Sequence, residues 1–176
     1  MTVAWAALII SQLEFYWDVH LRPRLDGLTD EEYLWEPVAD CWSLRPDGQG
    51  GFTQDTAWPQ PEPAPVTTIA WRMAHIATDC FTHPIAVRVF PDLAREETLP
   101  GTARDAIAFI DDRYQRWHET IVKLDEQEVE VPLGEAGGPF GAEPVGGLIL
   151  HINREVMHHG GEIGALRDLY RASFAS

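Results

Sequence analysis

The chain has 176 residues, 45% of them hydrophobic, which suits one domain spanning residues 1–176 with a real core and argues against general disorder. Its 28 acidic and 13 basic residues give a formal net charge of −15, so nucleic acid and anionic membrane surfaces are not expected partners. The two cysteines, Cys41 and Cys80, lack any paired spacing, which excludes a disulfide framework or a thiolate zinc site and leaves them as packing residues.

The first long helix is predicted over about residues 3 to 25, beginning at Val3. Ala6, Ile9, Ile10, Leu13, Tyr16 and Trp17 recur at helical steps, and Pro23 and Gly27 are stop signals. The apolar run at residues 4–10 has no basic segment before it and ends at Ser11-Gln12, so no signal peptide is expected. No stretch reaches the roughly 18 apolar residues of a membrane span. The expected compartment is the reducing cytoplasm. A short helix then starts at Thr29, with Thr29 as cap and Glu32 as its capping-box partner.

Residues 37–65 are rich in Gly and Pro and cannot be one regular element. They nevertheless hold Trp42, Phe52 and Trp58, so a loop packed over a pocket is expected. The second long helix runs from about 67 to 81 through Ile69, Met73, Ile76 and Cys80. The third runs from about 102 to 123, with Ala106, Phe109, Ile110, Tyr114, Trp117 and Ile121 as its core face. Val129-Glu130-Val131 is the only strand-like fragment. After a Gly/Pro-rich connection the fourth helix covers about 145 to 171. Four long helices joined by loops imply an all-α four-helix bundle with long connections, one of which has room to be a crossover.

The chemistry concentrates in the last helix. At roughly 100° per residue, Val145, Leu148, Ile152, Val156, Ile163, Leu166 and Tyr170 form an apolar arc, with His159 near its centre and Glu155 about 40° away on the inward flank. Asn153, Arg154, Asp168 and Arg171 fall on the wet face. A carboxylate turned inward needs compensation. Two readings stay open on the wheel alone: Glu155 and His159 pair with each other, or both reach one divalent cation. His158 and His151 lie toward the rim and are alternatives to His159. A third ligand has to come from another helix, and His75 is the best candidate, although alone it lies off the Ile69/Met73/Ile76 stripe. His20 lies on the apolar face of the first helix beside Tyr16 and Trp17; facing the same cavity is the lesser of its two readings. His83 and His118 read as loop and surface residues.

Residues 155–163, with Glu155, His158, His159 and Glu162, resemble the closing helix of the DinB superfamily. The likeness extends to Ala74-His75-Ile76-Ala77 and to the opening residues 21–30. The resemblance implies a DinB-like four-helix bundle with zinc or nickel held by His75, Glu155 and His159. Many DinB proteins have His where this chain has Glu155; the mycothiol-dependent maleylpyruvate isomerase and S-transferase branch resembles it in having Glu. That branch implies a metal-dependent transferase or isomerase acting with mycothiol or a similar low-molecular-weight thiol on an electrophilic small molecule. His158 and Glu162 are then candidates for orienting ligands or moving protons, and Arg72 and Arg154 for pairing acidic substrate groups. The alternatives are a metal-dependent hydrolase and a non-catalytic, stress-related metal-binding protein. A monomer and a homodimer are equally compatible with the sequence.

Overall fold

Helix α1, Trp5–Tyr16, runs on through a π-helical turn, Trp17–Leu21, into the short α2, Arg22–Arg24. The computed structural model describes residues 4–95 and 98–174, so the expected start at Val3 lies outside the described residues. Ala6, Ile10, Leu13, Trp17 and Leu21 are buried at three- and four-residue steps, the stripe that makes this segment amphipathic. Gly27, at φ 70°, ends it in a left-handed conformation that other residues adopt reluctantly.

Helix α3, Asp30–Tyr33, is capped by Thr29, whose hydroxyl accepts the Glu32 N–H at 3.2 Å. Glu32 does not complete the expected capping box. Its carboxylate instead receives Nε and a terminal nitrogen of Arg167 at 2.8 and 2.9 Å, and both side chains are buried. A guanidinium out of water requires a charge partner far more than an exposed helix N–H requires a second acceptor.

The loop that follows contains a hairpin that the pattern did not suggest. Strand β1, Leu44–Pro46, pairs antiparallel with β2, Phe52–Gln54, in the register Leu44↔Gln54 and Pro46↔Phe52. Asp47 closes the turn, accepting the N–H groups of Gln49 and Gly51 at 2.7 and 2.9 Å. The hairpin is tied to the next helix. The Trp42 N–H reaches Val66 O, Thr68 N–H reaches Trp42 O, and the Trp71 indole donates to Asp55 O at 2.8 Å. Trp58, expected over the pocket, is 96% exposed and packs on nothing.

Helix α4, Ile69–His75, starts at its cap Thr68 and continues into a second π-helical turn, Ile76–Cys80, closed by Phe81 N–H to Ile76 O at 3.1 Å. Helix α5, Pro84–Val89, and α6, Ala103–Ile121, follow. The strand-like Val129-Glu130 belongs instead to helix α7, Glu126–Glu130, because Asp125 and Glu128 form a full capping box there. A 3-10 segment, Gly134–Phe140, broken at Gly138, leads into α8, Val145–Phe174.

Helix α8 packs on α1 and α4, and α4 packs on α6. Trp117, Phe81, Leu13, Ile110 and Ile149 fill the space between them, and the indole of Trp17 stacks on Tyr114 with centroids 3.9 Å apart. At Gly160 a Cβ would lie 2.6 Å from the Tyr16 hydroxyl, so the absence of a side chain lets α8 approach α1 closely. That approach buries Asn153, which the wheel put on the wet face. Its amide donates to Ile9 O at 2.9 Å. The described residues are mostly helical with one two-stranded sheet, in agreement with an all-α class. No helix among them is long and apolar enough to cross a membrane.

Candidate metal centre

His75 is the last residue of α4, and the π-helical turn after it carries Asp79. The His75 Nδ1 lies 2.9 Å from an Asp79 carboxylate oxygen. A carboxylate only accepts, so this contact places the ring proton on Nδ1 and leaves Nε2 as the free lone pair. The indole of Trp71 stacks on the His75 ring at 5.0 Å and 15°, and Trp42 lies 6.0 Å from Trp71. The 37–65 loop therefore reaches the site through Trp42 rather than Trp58.

His159 stands on the buried face of α8 and is held in the same way. Its Nδ1 is 2.7 Å from Glu162, and its Nε2 turns toward Glu155. Arg72 also approaches this Nδ1, at 3.1 Å, but a nitrogen already donating to Glu162 cannot accept. Arg72 pairs with Glu162 as an ion instead, its Nε 2.9 Å from a carboxylate oxygen. Arg72 thus fixes Glu162, and Glu162 fixes His159.

Glu155 presents its two oxygens to different partners. Oε1 accepts from Arg154 at 3.1 Å, and Oε2 lies 3.6 Å from His159 Nε2, beyond hydrogen-bond length. Partial burial acts to raise its pKa. Arg154, His151 and His159 outweigh that and hold the carboxyl below its ordinary value, so it is ionised at neutral pH. Glu162 is lowered too, burial opposing and His159 and Arg72 prevailing.

Two groups of metal-ligating side chains occur among the described residues: His75, Glu155 and His159, and His158, His159 and Glu162, each with its ligand atoms within 4.8 Å of one another. The first fits a divalent cation. It offers two imidazole nitrogens whose lone pairs take no hydrogen bond and one ionised carboxylate, and the opposite ring nitrogens are held by carboxylates. The second fits poorly. It requires the His159 Nδ1 that Glu162 holds, and the Arg72 guanidinium sits against it. His158 is a rim residue, its side chain 61% exposed and its Nε2 3.4 Å from Glu162.

The other histidines are dispersed. His20 does not face this centre; it is exposed, edge-on to Phe15, in a separate groove with Tyr16, Arg24 and Gly160. His118 bonds Glu14 at 2.6 Å, linking α6 to α1. His83, read as a loop residue, caps α5 through Nδ1 and lines a cavity with His151. Arg154 is engaged with Glu155 and His151, and Arg72 with Glu162, so neither waits for an acidic substrate group. The sequence reading passed over Asp79 as a partner, although its spacing of four from His75 was a usable signal.

A family model described as the DinB superfamily matches residues 12–163. No curated protein and no solved structure gives a match.

Proposed function

The chain belongs to the DinB superfamily, and from that premise we propose that it is a metal-dependent enzyme that transfers a low-molecular-weight thiol to an electrophilic small molecule. In this reading the four long helical segments form a DinB-like four-helix bundle. His75 and His159, each through the ring nitrogen left free by its carboxylate partner, and Glu155 would hold the cation. The ligand set suits zinc or nickel. The thiol is mycothiol or a close analogue, by resemblance to the branch with Glu at this position.

One observation carries the reading: both histidines have Nδ1 tied to a carboxylate, Asp79 or Glu162, while Glu155 stands too far from His159 to be its hydrogen-bond partner. Two imidazoles oriented in this way toward an ionised carboxylate are set up for a cation. A divalent cation held there would supply one thing, a lowered pKa for a thiol that reaches it. The chain itself supplies the rest. Asp79 and Glu162 are positioning residues that fix the ring nitrogens. Arg72 keeps Glu162 ionised and in place. His158, on the solvent side of Glu162, takes the proton that the thiol loses. Trp71 covers one face of His75 and keeps its ring from turning.

The test is metal content of protein purified without an affinity tag, for the wild type and for His75→Ala, Glu155→Ala and His159→Ala, followed by thiol consumption with mycothiol. The reading requires about one zinc or nickel per chain, lost in each variant together with thiol transfer. A wild type that takes up no added zinc overturns it. Turnover of esters or amides without thiol would replace transfer by hydrolysis. A metal-loaded protein inert with thiols and electrophiles alike would make it a binding protein.

A further inference from the structure

One turn along α8 from Glu155, a cavity of about 320 Å³ opens between α5, the 134–140 segment and the start of α8. Ile85, Leu133, Phe140 and Leu148 give it apolar walls, and its polar side chains are His83, His151 and Glu143. The rings of His83 and His151 lie 5.7 Å apart. Their hydrogen bonds fix the same tautomer in both. His83 Nδ1 accepts the Ile85 N–H at 3.2 Å, and His151 Nδ1 accepts from Arg154 at 2.5 Å. Each neutral ring therefore carries its proton on Nε2. His151 also connects the cavity to the candidate centre, its Nδ1 being 3.8 Å from Glu155.

These features define a ligand class. The volume is at the small end of ligand pockets, which span roughly 300–1,000 Å³. The walls require an apolar body, two N–H donors require an acceptor, and the exposed carboxylate of Glu143 disfavours an anion. We propose that this cavity binds a small, uncharged carbonyl compound of single-ring size, its oxygen toward His83 and His151, as the electrophile of the reaction; this rests on the thiol-transfer reading above. An α,β-unsaturated ketone meets the requirement. In the addition the thiol sulfur forms a C–S bond at the β-carbon and the C=C π bond breaks. The electron pair moves to the carbonyl oxygen, and the thiol proton ends on the α-carbon with no leaving group. The two Nε2–H donors stabilise the charge that develops on that oxygen.

The test uses acetophenone, and ethylbenzene as a probe of similar size without an acceptor, titrated by NMR into metal-loaded protein. Gly147→Leu blocks the cavity. A Cβ at Gly147 meets Pro144 at 3.6 Å and Glu143 at 3.9 Å, both ordinary contacts, so the backbone there has room for a Cβ. His83→Asn keeps a capping oxygen and removes the ring donor. The wild type should bind acetophenone about fivefold more tightly than ethylbenzene. His83→Asn should roughly halve that preference, His151 still donating, and Gly147→Leu should abolish binding of both while retaining metal. Equal affinities, no binding, or binding unaffected by Gly147→Leu overturns the proposal. Thiol consumption with cyclohex-2-enone, measured on the same preparations, separates the two ideas. Undiminished consumption in Gly147→Leu sinks the cavity as the electrophile site. Acetophenone binding by a wild type that consumes no thiol sinks thiol transfer and leaves a carbonyl-binding cavity.

Discussion

His75 Nδ1 lies 2.9 Å from Asp79, one turn further along the same helical segment, and this contact selects the nitrogen left for a cation. Removing it releases the ring proton from Nδ1 and lets the imidazole exchange tautomers. Asp79→Ala should weaken zinc binding by about 10- to 100-fold with little change in far-UV circular dichroism. Competition against a chromophoric chelator measures the shift. Unchanged affinity would show that Asp79 does not orient the ligand. Glu162→Gln should act similarly through His159, since the amide accepts more weakly than the carboxylate it replaces.

The Glu32–Arg167 pair sets up a stability test independent of the centre. Arg167 also donates to the carbonyls of Arg24 and Asp26, so it fastens α2, α3 and α8 at once. Arg167→Met strands a buried carboxylate and should cost about 3–5 kcal/mol in urea unfolding. Combining it with Glu32→Met should recover part of that loss. Additive losses in the double variant would mean that the carbonyl bonds, rather than the ion pair, carry the effect.

Adjacent glycines on α8 should respond in opposite ways. Gly161 is exposed with nothing within 4 Å of a Cβ, whereas a Cβ at Gly160 would sit 2.6 Å from the Tyr16 hydroxyl. Gly161→Ala should raise stability by about 0.5–1 kcal/mol through helix propensity. Gly160→Ala should show no such gain, and Tyr16→Phe in the same chain should recover only part of it, because Tyr16 Cε1 and Leu21 Cδ2 also lie 3.0 and 3.1 Å from that Cβ. Equal behaviour of the two glycines in thermal unfolding would refute the close α1–α8 approach.

The long helices were legible because their apolar stripes are regular, and α6 also starts at a Thr cap, Thr102. The hairpin was not. Its strands have three residues each, one contains Pro46, and they are held by Asp47 and by docking of Trp42 rather than by alternation. Asn153 was misplaced because a wheel assumes one buried face, and α8 is covered on several sides. In the candidate centre, the clustering of His75, Glu155 and His159 follows from helical spacing plus the family resemblance. Their orientation by Asp79, Glu162 and Arg72 depends on a π-helical turn and a cross-helix ion pair, for which periodicity carries no signal. The cavity at His83 was hidden for a related reason: its walls join α5 to residues 133–151, which lie far from it in sequence.

Cys41 and Cys80 are both buried, and burial, reinforced by the charges of Asp79 and Glu155, pushes the Cys80 thiol far above its ordinary pKa. A protonated, inaccessible thiol is a poor nucleophile. Native protein should therefore take up no iodoacetamide at neutral pH, while unfolding in urea should expose both cysteines to labelling, as counted by intact mass. Cys80→Ala should keep thiol-transfer turnover near the wild-type rate, with any loss appearing as stability. Rapid native labelling of Cys80 together with loss of turnover in Cys80→Ala would place the nucleophile in the chain and remove the need for a separate thiol substrate.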